Sequence, residues 1–459
     1  MLAHAGFSER GQIAFAVLAA SAALTVAVAD PESFRAALRV PIVLIILAIA
    51  ALTALSAAWT IGDPAAALRW GCVVAGYTAM AISGFSAAKR NGAEGVAELI
   101  VLLAVVAAAV GLIAAAVQEQ PYAERIGGAW RPGGPFEYPP ALGALQLAAL
   151  PVALRGMVGG GRAVGWSAVV VVIAATIALI SSRAVLALGA LILLGALAAP
   201  RSTLRVGRPL ALAAVGFTVA AACAGDALAG SYAEPYVATD DLPRLAGLSA
   251  LVVFAPLLWK AIRGRFGERG ALRPGARTAV CLLVAVPLVA SIAAAASTPD
   301  SGTGVEPDAG VTHGRVELWG DAVSTAAGGP FEGTGALTFF VAAVEAGNSP
   351  DSVFAHDFVL EQWVELGYPG LLLGIALVAT AIASILRARR SPAGWLIGVG
   401  AGVFGVAMLI DWPWHVPAAG AVFALLLGGL AAANRIAPES APSGLPRDRT
   451  VIVGSRIEV

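Results

Sequence analysis

Residues 40–58 read VPIVLIILAIAALTALSAA, an apolar run without a single charge. A helix needs about 20 such residues to cross the hydrocarbon core of a bilayer. Runs of this kind recur near 11–29, 67–88, 96–117, 138–154, 164–181, 184–199, 208–229, 243–263, 275–296, 357–386, 394–410 and 413–434, which with 40–58 makes thirteen. The stretch 164–199 is too long for one helix, and Ser181-Ser182-Arg183 divides it into a tight hairpin. The first run lacks a small-residue cleavage site followed by a soluble domain, so it reads as a retained helix. The fold class that follows is an all-α polytopic membrane protein with about 12–13 transmembrane helices.

Composition agrees. Of 459 residues, 59% are hydrophobic and only 13% are charged, where a soluble domain carries about 25%. So few charges could not clothe the surface of a soluble protein this long. Disordered, collagen-like and disulfide-scaffold classes are excluded with it. Cys72, Cys223 and Cys281 lie far apart in apolar runs, with no CxxC and no His/Cys cluster. Neither a disulfide framework nor a thiolate metal site is indicated.

The 29 basic residues balance the 29 acidic ones, but membrane proteins sort charge by side. One set of alternate loops, with the C-terminal tail, holds 20 of the basic residues, among them Lys89, Arg90, Arg155 and Arg435. That side is expected to be cytoplasmic. The opposite side keeps six: Arg69, Arg125, Arg131, Arg183, Arg244 and Arg315. Thirteen spans with a cytoplasmic C-terminus put the N-terminus outside, with Arg10 outside and Arg35 and Arg39 inside. The expected organisation is a helix bundle over 1–296, a large extracytoplasmic loop with short helices over 297–356, further spans over 357–434 and a disordered cytoplasmic tail over 435–459. Within the loop, Val316, Trp319 and Val323 share one helical face, which predicts a short surface helix over 313–327.

Chemistry-bearing residues gather on the outer side. His356 lies where the long loop re-enters the membrane, and an unperturbed imidazole can act as a base near neutral pH. On a helix, Asp357, Glu361 and Glu365 follow one face at four-residue spacing. Acids at a membrane boundary are costly unless they meet water or partners; a helix cap with solvated acids is the structural alternative. Arg315 is the only basic residue between 297 and 355, against eight acids: it forms an ion pair or an anion site. Arg183 has no acid within forty residues on either side. It needs a partner from another loop, a lipid headgroup or a bound phosphate, whose oxygens match a guanidinium fork. Trp130-Arg131-Pro132-Gly133-Gly134 could hold a sugar or phosphate, or form an interfacial turn. Asp411-Trp412-Pro413-Trp414-His415 reads as an aromatic belt or a sugar-stacking wall. No Walker A loop and no metal-spaced cluster is present. No run of polar residues inside the spans resembles an ion relay, which weighs against a coupled transporter.

In order, these blocks resemble the O-antigen ligase and polymerase family of bacterial membrane glycosyltransferases. Arg131 to Gly143 is similar to the segment opening that family's mid-chain span. Ser182-Arg183-Ala184 is similar to its hairpin turn. His313-Gly314-Arg315 with Trp319, then Pro330 and Gly333-Thr334-Gly335, is similar to part of its large outer loop. His356 to Gly370 is similar to its His-to-Gly motif, matching at His356, Leu360, Glu365, Gly367 and Gly370. Asp411-Trp412-Pro413-Trp414 resembles the DWxW of members from GC-rich Gram-positive bacteria. Together the blocks cover about 130–434. Two departures are Asp357, where the family usually has Asn or Ser, and Pro139-Pro140, where an Asn is common.

The resemblance implies a GT-C-like ligase or polymerase architecture in the bacterial cytoplasmic membrane, with the site on the outer face. It implies transfer of a glycan from an undecaprenyl-diphosphate carrier to a hydroxyl of a glycan or lipid-linked glycan. Membrane lipids would be partners; nucleic acid, cofactor and metal would not. His356 would be the base, with Arg183 and Arg315 stabilising the diphosphate. Arg131, Trp319, Glu365, Asp411 and Trp414 would bind substrate. A flippase of polyprenyl-linked glycans and a protein O-glycosylation ligase are the competing expectations.

Overall fold

The computed structural model describes residues 8–126, 129–158, 163–180, 182, 185, 189, 314–388 and 391–436. Arg183, His313 and the runs near 184–199, 208–229, 243–263 and 275–296 lie outside these residues. The described chain is mostly helical: α1 Glu9–Ala29, α2 Pro31–Ala37, α3 Pro41–Leu55, α4 Pro64–Val117, α5 Pro139–Val158, α6 Ala163–Ile180, α7 Arg315–Gly328, α8 Phe339–Glu345, α9 Phe358–Ala388, α10 Pro392–Ile410 and α11 Pro417–Ile436. Six of these helices are long and apolar enough to cross a membrane. The nine apolar runs that fall on described residues all coincide with helix.

At 1.5 Å per residue, α4 would be about 80 Å long if straight, against about 30 Å of hydrocarbon. Gly92 breaks it at φ 74°. The half before Gly92 runs parallel to α11, with Tyr77 near its start at Trp414 and Gly420 and Phe85 near its end at Arg435. Gly84 touches the Leu425 backbone and Gly428 touches the Ala81 backbone, contacts that any Cβ would obstruct. Small residues let helices approach where no hydrophobic effect drives them together. The half after Gly92 returns toward the starting end, where Gly111 packs on Pro132 and Gly134. Gln146 of α5 ties to it, donating to the Ala104 carbonyl at 3.0 Å. α4 is thus two passes, as the runs 67–88 and 96–117 predict.

Charge separates along the bundle. At the Gly92 end, Lys89 pairs with Glu32 at 3.0 Å and Arg155 with Glu94 at 2.7 Å. There Arg435 donates to the Ala36 and Arg39 carbonyls at 3.0 and 3.2 Å, capping the end of α2. Arg35 and Arg39 therefore join the basic end. At the opposite end Arg69 reaches Glu9 at 2.6 Å, so α1 begins there.

That opposite end carries the irregular structure. Where a loop was expected over 118–137, β1 Ala123–Ile126 and β2 Ala129–Pro132 form a hairpin with Glu124 opposite Arg131. The short helix expected over 313–327 falls at α7, Arg315–Gly328. Its buried face is Leu318, Ala322, Thr325 and Ala326, while Val316 and Val323 are exposed. α7 and α8 share a small apolar core with Val364 of α9.

Candidate functional site

Gly367 sits at φ 63° inside α9. The break separates a short first segment, bearing Glu361 and Glu365, from the long apolar remainder. Helical N–H groups from Tyr368 and Pro369 would serve the Val364 and Glu365 carbonyls, but the break turns the first away and proline has none. The segment 331–335 takes over. Thr334 and Gly335 donate to those carbonyls at 3.1 and 2.8 Å, and Tyr368 donates to Phe331 at 3.0 Å. The Glu365 carboxylate then accepts from the Thr338 and Phe339 N–H groups at 3.0 and 3.3 Å. Glu365 is buried, so this acid positions the loop.

The loop leads to His356, which adopts φ 54°. Non-glycine residues there are strained and cluster at functional sites. Its Nδ1 lies 3.0 Å from Asp411 Oδ1. The N–H direction departs from that line, so the pair is an electrostatic contact more than a straight hydrogen bond. Such contacts in ligand-free sites often tighten only with substrate. On the other edge of the ring, Nε2 lies 3.1 Å from Ser352 Oγ.

Asp411 is 4% exposed and held from several directions. Tyr138 donates to Oδ2 at 2.6 Å, and the Trp412 N–H donates to Oδ1 at 2.9 Å. Arg315, at the first turn of α7, brings Nη2 to 3.7 Å from Oδ2, and its buried Nε has no hydrogen-bond partner among the described residues. The Glu124–Arg131 pair lies beside Tyr138. Burial raises the Glu124 carboxyl above its usual range, and Arg131 offsets part of that.

A second histidine–acid pair crosses the first. His415 Nε2 lies 2.7 Å from Glu361 Oε1, both nearly fully buried. Each segment supplies one histidine and one acid: 356 and 361 from the start of α9, 411 and 415 from the α10–α11 link. The His415 ring is stacked with Phe354 at 4.1 Å and with Trp70 at 4.9 Å. Phe354 also stacks with Trp412 at 5.4 Å, and Trp412 meets Tyr138 at 4.3 Å.

Among the expected residues, the structure thus joins His356, Arg315 and Asp411 in one cluster. Trp414 packs inward on Tyr77 and Phe358 at 4.9 and 4.6 Å. The indole N–H groups of Trp319 and Trp414 are buried without a partner among the described residues. Tyr138 and Ser352 were not anticipated. Tyr138 is 273 residues from Asp411, so only tertiary structure connects them; Ser352 lies one helical turn's spacing before His356, a weak signal. Glu361, Gln362, Glu365, Asp411 and His415 are all buried. They sit at one end, before the Gly367 break or in the α10–α11 link, and not at mid-span. Among the described residues, no group of three or more His, Cys, Asp or Glu could hold a metal ion.

A scan of the chain against protein-family models finds no match. A search of the curated proteins finds none either.

Proposed function

We propose that the protein is an inverting glycosyltransferase of the O-antigen ligase and polymerase type. It would transfer or polymerise a polyprenyl-diphosphate-linked glycan onto a hydroxyl acceptor, in cell-envelope or exported polysaccharide synthesis. The observation that carries this reading is the convergence on Asp411 of His356 and Arg315, a base and a cation from distant segments. The acceptor hydroxyl gives its proton to His356 Nε2 as its oxygen attacks the anomeric carbon. The bond to the diphosphate breaks, and the lipid diphosphate leaves with the electron pair. Asp411 faces the imidazolium that forms. Arg315, with Arg183 placed by sequence resemblance alone, would meet the charge on the diphosphate. The basic end, by the rule that positive loops stay inside, would face the cytoplasm and leave the site outside.

The test is reconstitution in proteoliposomes with a synthetic polyprenyl-diphosphate glycan and saccharide acceptors. His356→Ala should lower transfer about 10²–10⁴-fold, the range for loss of a general base. Unchanged yield and chain length in His356→Ala and Arg315→Ala would sink the reading. Two other readings share the site's location. A glycan flippase would move labelled lipid across the bilayer without making product; a protein O-glycosylation ligase would accept only a protein hydroxyl.

A further inference from the structure

His356 Nε2 is the one lone-pair nitrogen of the neutral ring when the proton sits on Nδ1, the side facing the Asp411 carboxylate, which only accepts. That lone pair takes one hydrogen bond, and Ser352 Oγ holds it at 3.1 Å. An acceptor hydroxyl cannot reach the base without displacing the serine. Neither can water.

We propose that Ser352 occupies the acceptor-hydroxyl subsite in the resting protein and keeps water off the base until an acceptor alcohol replaces it. The inference rests on the glycosyl-transfer reading and adds to it the place of the acceptor and a control on hydrolysis. Three observations carry it. The serine supplies the same group as the acceptor, an aliphatic hydroxyl, on the same atom of the base. Its other hydrogen bond is local: Oγ accepts the Phe354 N–H at 3.2 Å. A rotation about χ1 gives up both bonds, and the partly exposed serine exchanges them for water. The segment that carries it is pinned on both sides, by Phe354 stacked with His415 and Trp412 and by His356 facing Asp411. Ser352 is therefore presented at fixed distance while its own side chain stays free to turn. An arriving sugar hydroxyl brings ring contacts that water lacks, and so competes better for the position.

Full-length protein in proteoliposomes, given the synthetic donor and a saccharide acceptor, separates the outcomes. Two products are counted: free reducing glycan from hydrolysis and elongated glycan from transfer. In Ser352→Ala the ratio of hydrolysis to transfer should rise about tenfold, the worth of one ordinary hydrogen bond. Ser352→Thr, which keeps the hydroxyl, should restore a ratio within about twofold of the original. Donor consumption with an unmoved ratio in Ser352→Ala overturns the inference and leaves the glycosyl-transfer reading standing. Stoichiometric labelling of Ser352 by a fluorophosphonate, which would make it a nucleophile served by His356 in a serine–histidine–aspartate relay, overturns both. No consumption of donor by the unmodified protein overturns both.

Discussion

Gly335 donates its N–H to the Glu365 carbonyl at 2.8 Å, the carbonyl that Pro369 leaves unserved within the helix. Two stretches separated by thirty residues are thus one structural unit. The break in α9 needs the loop to satisfy its backbone, and the loop needs the break for a place to dock. An unpaired buried carbonyl costs about 1–3 kcal/mol, so neither half is stable in this form alone.

Gly367→Ala tests that interdependence. The position has φ 63°, and a Cβ there would collide with the Phe331 carbonyl and Glu332. The conformation at φ 63° and ψ −154° is open essentially to glycine and alone costs an alanine about 1–3 kcal/mol, and the collision adds to it. Thermal unfolding in detergent should fall by several degrees, with outer-loop proteolysis increased. An unchanged melting temperature and digestion pattern would show that the loop does not depend on the break.

The helices were legible because apolar runs of spanning length are set by the bilayer and need no tertiary information. Gly92 went unnoticed as the hinge of α4, yet the two runs either side of it were separable by length. The site was legible only in part. His356 and Arg315 stand out because histidines and outer cations are scarce. Asp411 was expected to touch substrate; its place beside His356 Nδ1 depends on two segments meeting end to end. Tyr138 carries no local mark at all. Glu361 and His415 illustrate the same limit: each reads locally as a boundary residue, and only their crossing with Asp411 and His356 makes them a buried pair. The 118–137 hairpin was missed because its strands are four residues long and show no clear alternation.

Asp411→Asn should cripple the base while sparing the fold. An amide can present an N–H to Nδ1 and so favour the wrong tautomer, a change that costs about 10⁴-fold in serine proteases. A loss of about 10²–10⁴-fold in transfer is expected, with normal membrane abundance. Because the two residues act as a unit, His356→Ala combined with Asp411→Asn should be little worse than either alone. Multiplying effects in the double variant would mean that Asp411 works independently of His356.

Tyr138→Phe removes one hydrogen bond to that carboxylate and leaves the ring against Trp412. Hydrogen bonds to charged groups contribute about 1.5–3 kcal/mol. Transfer should drop about tenfold or more. Unchanged transfer in the variant would leave Tyr138 with packing alone.

Asp357 provides a stability test apart from catalysis. Its Oδ1 accepts the Val359 and Leu360 N–H groups at 2.8 and 2.9 Å, capping α9. Burial raises its carboxyl above the usual value, and the two backbone hydrogen bonds recover only part of that. The folded protein therefore holds this proton more tightly than the unfolded chain. Its contribution to stability is fully present below the unfolded value near 3.8 and is lost as pH rises through the higher folded value. Asp357→Asn keeps a good cap and removes the buried charge, so at pH 7 it should match or slightly exceed the original in thermal stability. Its advantage should shrink as the pH is lowered toward 4. Asp357→Ala removes the cap and should cost about 1 kcal/mol at either pH. Melting temperatures of the three proteins in detergent at pH 4.5 and pH 7.5 decide the matter: an Asn variant clearly less stable at pH 7.5 would mean that the carboxylate is a net gain to the fold.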